Sequence, residues 1–313
     1  MQRALLIYNP SSGRKRARRA EKIAQAAEVL RAAGVTVDVC ATRDAGSAIV
    51  QTQNAVVAGF DTIIACGGDG TVHEVLNGLM LIGPGSGVSL GVIPLGSGNL
   101  LATNLGVPRD PKAAASTLLS WRPVELHPGV MSYQTRDGER KRWFIVAAGV
   151  GADAQLMYRT AVEVKEQYGM YAYFLEMARM TLRHDLPKFQ VEWNDAAGAR
   201  HSEIVTLVLS TRATRFPGLM RRVRLDCELT RPNHRVMIFK TDRIFDYMNF
   251  FASLITGWNW KVPRIDLDYA PWFRCTPLES TKGAIHCEAD GELLGTLPVE
   301  VSIEQRTFTL LMP

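Results

Sequence analysis

The sequence predicts a doubly wound α/β domain followed by an all-β, antiparallel sandwich. Three observations carry this expectation. Strand and helix patterns alternate over residues 1–122; from 123 onward short alternating runs take over; and a glycine-rich turn, Gly67-Gly68-Asp69-Gly70-Thr71, joins an apolar strand to an amphipathic helix. The expected domains are 1–122 and 123–313, with the chain terminus free to return to the first.

In the first half the strands read Ala4–Tyr8, Thr36–Cys40, Thr62–Cys66 and Ser89–Ile93, and the helices Arg16–Ala33, Gly46–Ala58, Val72–Leu81 and Pro111–Ser120. A βαβα rhythm of this kind implies a mostly parallel sheet covered by helices on both faces. Ligands of such sheets bind beyond the carboxyl ends of the strands. Four polar or glycine turns fall there: Asn9-Pro10-Ser11-Ser12-Gly13, Thr42, the turn at Gly67–Thr71, and Pro94-Leu95-Gly96-Ser97-Gly98-Asn99. In the second half, Trp143–Ala148, Phe189–Trp193, Ile204–Ser210, Arg235–Phe239, Arg264–Leu267, Val299–Ile303 and Thr307–Leu311 read as strands, punctuated by turn residues such as Asn194-Asp195 and Pro232-Asn233. Helices are expected at Ala161–His184 and Phe245–Gly257.

The third turn is the most informative stretch. Val72, Val75, Leu76, Leu79 and Met80 recur at helical spacing, and Thr71 with Glu74 fits a capping box that would start the helix at Thr71. Glycines before a helix start let backbone N–H groups point at an anion, which the helix dipole also favours. An aspartate in such a loop repels phosphate, so Asp69 makes sense where it holds Mg²⁺, orients a hydroxyl or takes a proton.

Composition narrows the function classes. The 313 residues are 47% hydrophobic and 21% charged, with a mean hydropathy of −0.02, as in a globular protein with a sizeable core. A net charge of +5 and a pI near 9.0 suit anionic substrates or an anionic membrane surface and are too small to argue for nucleic acid. Cys40, Cys66, Cys227, Cys275 and Cys287 form no C-x-x-C pair, so neither a disulfide framework nor a zinc site is expected. The apolar start at Ala4–Tyr8 is too short for a signal peptide, and Phe245–Trp260 is too interrupted by polar residues to span a membrane.

The order of Asn9–Gly13, GGDGTVHEVLNG, PLGSGN and a late Asp290-Gly291-Glu292 resembles the bacterial diacylglycerol-kinase-like lipid kinases, which share a catalytic domain with sphingosine and ceramide kinases. The motifs extend from residue 9 to residue 292, and the late turn followed by Leu297-Pro298-Val299-Glu300-Val301 is nearer to this branch than to NAD kinases or phosphofructokinases, which share the GGDGT element and the α/β domain type. The resemblance implies transfer of the γ-phosphoryl group of ATP to a lipid hydroxyl in a cleft between the two domains. It places Asn9, Pro10, Ser11, Ser12, Gly13, Thr42, Gly67, Gly68, Asp69, Gly70, Thr71, Val72, His73, Glu74, Gly96, Ser97 and Asn99 at the nucleotide. Asp290, Glu292 and Asp69 are the catalytic carboxylates, Asp290 the first choice for base. His73 is read as a loop or first-turn positioning residue facing the nucleotide.

Diacylglycerol is the first substrate implied. The alternatives are a sphingoid base or other lipid, then a soluble NAD-kinase-like substrate, then a non-catalytic lipid-binding role. The same resemblance implies Mg²⁺ accompanying ATP, a cytoplasmic protein peripheral to the inner membrane face, and room for a homodimer. Two departures stand out. Leu100 follows Asn99 where many relatives carry Asp, and Arg231-Pro232-Asn233-His234 stands where some relatives hold a structural Mg²⁺, so no protein-only metal site is expected.

Of the remaining features, Arg14, Lys15, Arg16, Arg18 and Arg19 read mostly as a solvated helix face, with Arg14 or Lys15 able to reach a phosphate. Phe216–Met220 beside Arg221, Arg222 and Arg224 could meet an anionic bilayer. The aromatic stripes Tyr168, Tyr171, Leu175 and Ala178, and Tyr247, Phe250, Phe251, Leu254, Ile255 and Trp258, read as core.

Overall fold

A computed structural model describes residues 1–10, 18–83, 87–159, 186–215, 228–256, 262–281 and 283–313. The expected helix Ala161–His184 with its stripe, the Phe216–Met220 loop with its arginines, Trp258, and Ser11, Ser12, Gly13, Arg14, Lys15 and Arg16 lie outside the described residues.

The first sheet has six strands. These are β1 (Arg3–Tyr8), β2 (Thr36–Ala41), β3 (Thr62–Gly67), β4 (Ser89–Pro94), β5 (Arg122–Leu126) and β17 (Phe308–Met312), in the order β2-β1-β3-β4-β17-β5. β1 through β4 and β17 run parallel, and β5 is antiparallel to β17. β3 and β4 are buried along their whole length, as their unbroken apolar runs require in a sheet covered on both faces. Helices α1 (Arg19–Ala32) and α5 (Pro111–Ser120) contact each other, as do α2 (Ser47–Val57) and α3 (Asp69–Ile82). The chain leaves β1 toward β2 on one side and enters β3 and β4 on the other. The carboxyl ends of β1 and β3 therefore form the topological switch point, where ligands of such sheets sit.

On α3, Val75 and Leu76 are fully buried and Val72, Leu79 and Met80 nearly so, which is the expected apolar face. Burying side chains of this size stabilises the fold by about 1.5–3 kcal/mol each. The helix starts at Asp69, earlier than the capping box predicts. Gly68 is the extended N-cap residue, and its carbonyl accepts from both Thr71 N and Val72 N. Glu74 does not reach back to this start. Its carboxylate accepts from Gly46 N (2.8 Å) and Ala48 N (3.0 Å), capping α2 instead.

The second sheet contains eleven antiparallel strands among the described residues, β6 (Gly129–Thr135), β7 (Gly138–Phe144), β8 (Ala147–Gly151), β9 (Phe189–Asn194), β10 (Arg200–Val205), β11 (Leu207–Thr211), β12 (His234–Phe239), β13 (Ile265–Ala270), β14 (Trp272–Pro277), β15 (His286–Ala289) and β16 (Glu292–Ile303). Alternating burial along β6 and β9 shows one face on a core and the other outward. The layers expected of a sandwich belong to one continuous curled sheet, because the long β16 pairs with β14 and, through register shifts, with β15 and β6. Two expected strands are each split in two, at Ile145-Val146 and at Thr206. Two helices complete the described part of this region, α6 (Ala152–Arg159) and α7 (Ile244–Thr256), while the short α4 (Leu100–Leu105) belongs to the first.

Candidate active site

Two glycine turns at the carboxyl end of the first sheet are tied together. The Gly67 carbonyl accepts from Leu95 N (2.8 Å) and Gly96 N (3.2 Å). Gly96 lies so close to the Cα of Gly68 that a side chain at Gly96 would overlap it. Asn99, in the left-handed region at φ 52°, closes the second turn by accepting from Gly96 N (3.0 Å) and donating to the Gly96 carbonyl (2.6 Å). Arg19 is buried, donating to the carbonyls of Asn9 (3.0 Å) and Leu95 (3.2 Å). The expectation of a solvated arginine face therefore fails at this residue, because strand-end carbonyls recruit its guanidinium. Thr42 N donates to the Tyr8 carbonyl, which sets Thr42 beside Asn9 and the exposed Pro10.

Asp69 opens α3, and its Oδ1 accepts from Leu100 N at 2.7 Å, so the carboxylate caps α4 and holds the second turn against the first. Burial pushes its pKa up to about 6; Leu100 N opposes the rise, and nearby Asp290 adds to it. Gly67, Val72 and Thr71 back the loop, with the Thr71 side chain packed on Gly67, while Gly68, Gly70 and Ser97 are accessible. His73, expected in the loop or the first helical turn, follows the first turn of α3. It lies buried in α3, with Nδ1 3.8 Å from Asp290 Oδ2.

Asp290 arrives from the second sheet, in the turn between β15 and β16, with φ 49°. Its Oδ1 accepts from Val146 N (2.9 Å) and Ala147 N (3.0 Å), and its Oδ2 from Ile145 N (2.8 Å). A carboxylate thus fills the break between β7 and β8. Glu288, buried nearby, accepts from Gly291 N at 2.9 Å and braces the turn. Glu292 is exposed, and its Oε1 crowds the space beside Gly70 that a side chain would need. Asn77 of α3 joins the two sheets, donating to the Trp143 carbonyl (2.9 Å) and accepting from Trp143 N (3.1 Å).

Of the predicted positions, Asn9, Thr42, Gly67, Gly68, Asp69, Gly70, Gly96, Ser97 and Asn99 come to one strand-end cluster, and Asp290 and Glu292 meet it from the second sheet. Glu74 faces α2 instead. Sequence reasoning missed Arg19, Asn77 and Glu288. For Asn77 the signal was present, since an asparagine on the apolar face of α3 needs partners there. Chemically, the arrangement offers backbone N–H groups at a helix start next to carboxylates of differing burial, as phosphoryl transfer needs.

Comparison with known proteins agrees with the geometry. The diacylglycerol kinase catalytic domain family matches residues 3–130. A diacylglycerol kinase of Bacillus subtilis (strain 168) is 30% identical over 316 residues, covering 100% of this chain and 97% of the relative. One from Staphylococcus aureus (strain bovine RF122 / ET3-1) is 25% identical over 311 residues, covering 99% and 92%. Among solved structures, a diacylglycerol kinase from Bacillus anthracis str. Sterne superposes with a TM-score of 0.68 at 18% identity, covering 100% and 97%. Yeast NADH kinase complexed with NADH gives 0.54 at 10% identity, covering 100% and 84%. These two likenesses concern the fold alone.

Proposed function

The chain belongs to the diacylglycerol kinase family, and we propose that it transfers the γ-phosphoryl group of ATP to the hydroxyl of diacylglycerol. Membership makes it a phosphotransferase of the lipid-kinase family that uses a nucleotide. The choice of diacylglycerol is supported by the full-length similarity to the Bacillus and Staphylococcus kinases. The observation that carries the reading is the convergence of Asp69, at the start of α3, and Asp290, from the second sheet, on one pair of interlocked glycine turns.

Backbone N–H groups of Gly68 to Thr71 and of the Gly96–Asn99 turn would hold the phosphates, with the α3 dipole assisting. Asn9 and Thr42 border the same strand ends. The carboxylates also fit Mg²⁺: Asp69 is driven toward protonation by burial and by Asp290, and hard oxygen donors with too little compensation suit this ion. Asp69 would hold it, with Glu292 the second carboxylate beside the same loop, and when bound it supplies neutralisation of the phosphate charge. The acceptor hydroxyl gives its proton to Asp290 Oδ2, which takes a single backbone donor; Glu292, with its greater exposure, is the rival. Among the described residues no helix is long and apolar enough to cross a membrane.

The test is transfer of labelled phosphate from ATP with Mg²⁺ to diacylglycerol, sphingosine and ceramide in mixed micelles, with NAD and lipid-free controls. Labelled diacylglycerol that disappears with Asp290→Asn is the expected result. Label on another lipid replaces the substrate, and label on NAD alone overturns the lipid reading.

A further inference from the structure

The curled sheet brings its two ends together. In the strand order β10-β9-β14-β16-β15-β8-β11-β12-β13, β10 and β13 are the terminal strands. The two ends nevertheless meet: Trp193 of β9, the neighbour of β10, donates its indole N–H to Asp268 Oδ2 of β13 at 2.9 Å, and His201 of β10 lies near the same carboxylate. At this seam Asp195, His201 and Asp268 each present one ligand atom, all within 4.8 Å of one another. None of these residues belongs to the cleft described above.

The three groups are held in place from behind. Asp195 Oδ1 accepts from Ala197 N and Ala199 N, both at 2.9 Å, which leaves Oδ2 for His201 Nε2 at 2.8 Å. Asp268 Oδ1 accepts from Tyr269 N at 2.7 Å. The His201 ring stacks on Trp193 with centroids 5.0 Å apart. Side-chain exposures of 42% for His201 and 22% for Asp195 leave an approach from solvent. Outer hydrogen bonds that orient each donor are the usual support of a metal site. One imidazole with two carboxylates is a mixed donor set that selects first-row divalent ions over Mg²⁺ or Ca²⁺.

We propose that Asp195, His201 and Asp268 bind a divalent transition cation, for which zinc is the probe, and that the ion clasps the two ends of the C-terminal sheet. Its remaining positions would be filled by water. Because ligands from β13 and from the β9–β10 hairpin are brought together only by folding, binding would favour the folded chain.

The experiment uses the full chain, stripped with a chelator and free of nucleotide, so that its outcome is independent of kinase activity. Zinc uptake against a chromophoric chelator should show one site, and zinc should raise the unfolding temperature where Mg²⁺ at the same concentration does not. His201→Ala and Asp268→Asn should each abolish that site, and Trp193→Phe should weaken it by about tenfold through loss of the outer hydrogen bond. Cobalt(II) in the unsubstituted chain serves where a variant does not fold. Visible bands without thiolate-to-metal charge transfer support the site. A thiolate band, no saturable zinc uptake, or uptake unchanged in folded His201→Ala overturns it, leaving a hydrogen-bonded seam alone.

Discussion

The two carboxylates that converge on the cleft both accept backbone N–H groups, but at joints of different kinds and with different results. Asp290 is satisfied by three consecutive backbone N–H groups at Ile145, Val146 and Ala147, and it structures the joint between β7 and β8. Asp69 is nearly as enclosed; Leu100 N donates to it at 2.7 Å and Leu101 N and Asn99 N add support, yet burial and the nearby Asp290 drive its pKa up to about 6. A similar aspartate-glycine signature thus yields one carboxylate tied into the second sheet's backbone and one whose backbone donors do not offset its burial. The difference assigns architecture to the second sheet's turn and charge sensitivity to the first's.

Replacing Asp290 should give the largest effect. Asp290→Ala leaves three N–H groups without their acceptor, two of them buried and each of those costing about 1–3 kcal/mol, so unfolding and loss of activity should come together. Asp290→Asn keeps an acceptor oxygen for Val146 N and Ala147 N but turns its amide NH2 toward Ile145 N, so it should fold with a loss of about 1–3 kcal/mol, less than Asp290→Ala, while phosphoryl transfer falls by about 10²–10⁴. Comparing melting temperature with labelled-lipid formation separates the two roles. Should Glu292→Gln be the more damaging of the isosteric changes, the proton acceptor moves to Glu292 and the contrast between the carboxylates must be redrawn.

Next comes the seam between the two glycine turns. A Gly96→Ala side chain would overlap Gly68 Cα and force apart the loops that would hold the phosphates. The expected outcome is ATP binding weakened by about tenfold or more, a change of about 1.4 kcal/mol or greater, with the second sheet's core unaffected. Isothermal titration with ATP measures it. Undiminished binding would mean that the phosphates lie elsewhere.

The contrast also has a pH signature. A carboxyl whose folded pKa is raised from 3.8 to about 6 binds more protons in the folded than in the unfolded chain between those values. Its contribution to stability is therefore fully present below about 4 and is lost as pH rises through 6. Urea unfolding of the metal-free protein at pH 4.5 and pH 7, compared with Asp69→Asn, should show a drop with rising pH in the parent that the variant lacks. Mg²⁺ with nucleotide should flatten that drop.

Much of this architecture was legible because local and tertiary demands agree. The apolar runs of β3 and β4, buried throughout, and the i, i+3, i+4 face of α3 required no long-range information. Tertiary partners decided the rest. Arg19 looked solvated until strand-end carbonyls at Asn9 and Leu95 claimed it, and the apparent strand Trp143–Ala148 broke where Asp290, distant in sequence, satisfies its amides. The curl of the second sheet depends on a contact between strands β9 and β13, which no local pattern encodes.

Glu74 is the sharpest case, and it yields the smallest effect. Its spacing from Thr71 suggested a capping box at the phosphate loop, but both carboxylate oxygens serve α2, at Gly46 N and Ala48 N. Helix capping by an acidic group contributes about 0.5–2 kcal/mol and depends on acceptor oxygens at those amides. Glu74→Ala should therefore lower stability by about that amount, as read by urea unfolding, while KM for ATP stays within about twofold, since the change is small on the scale of 1.4 kcal/mol per tenfold. A large rise in KM with unchanged stability would return Glu74 to the nucleotide and would mean that α2 does not need its cap. The expected pattern, stability lost and affinity kept, places the boundary of the phosphate site between His73 and Glu74, one residue apart on the same helix but facing different neighbours.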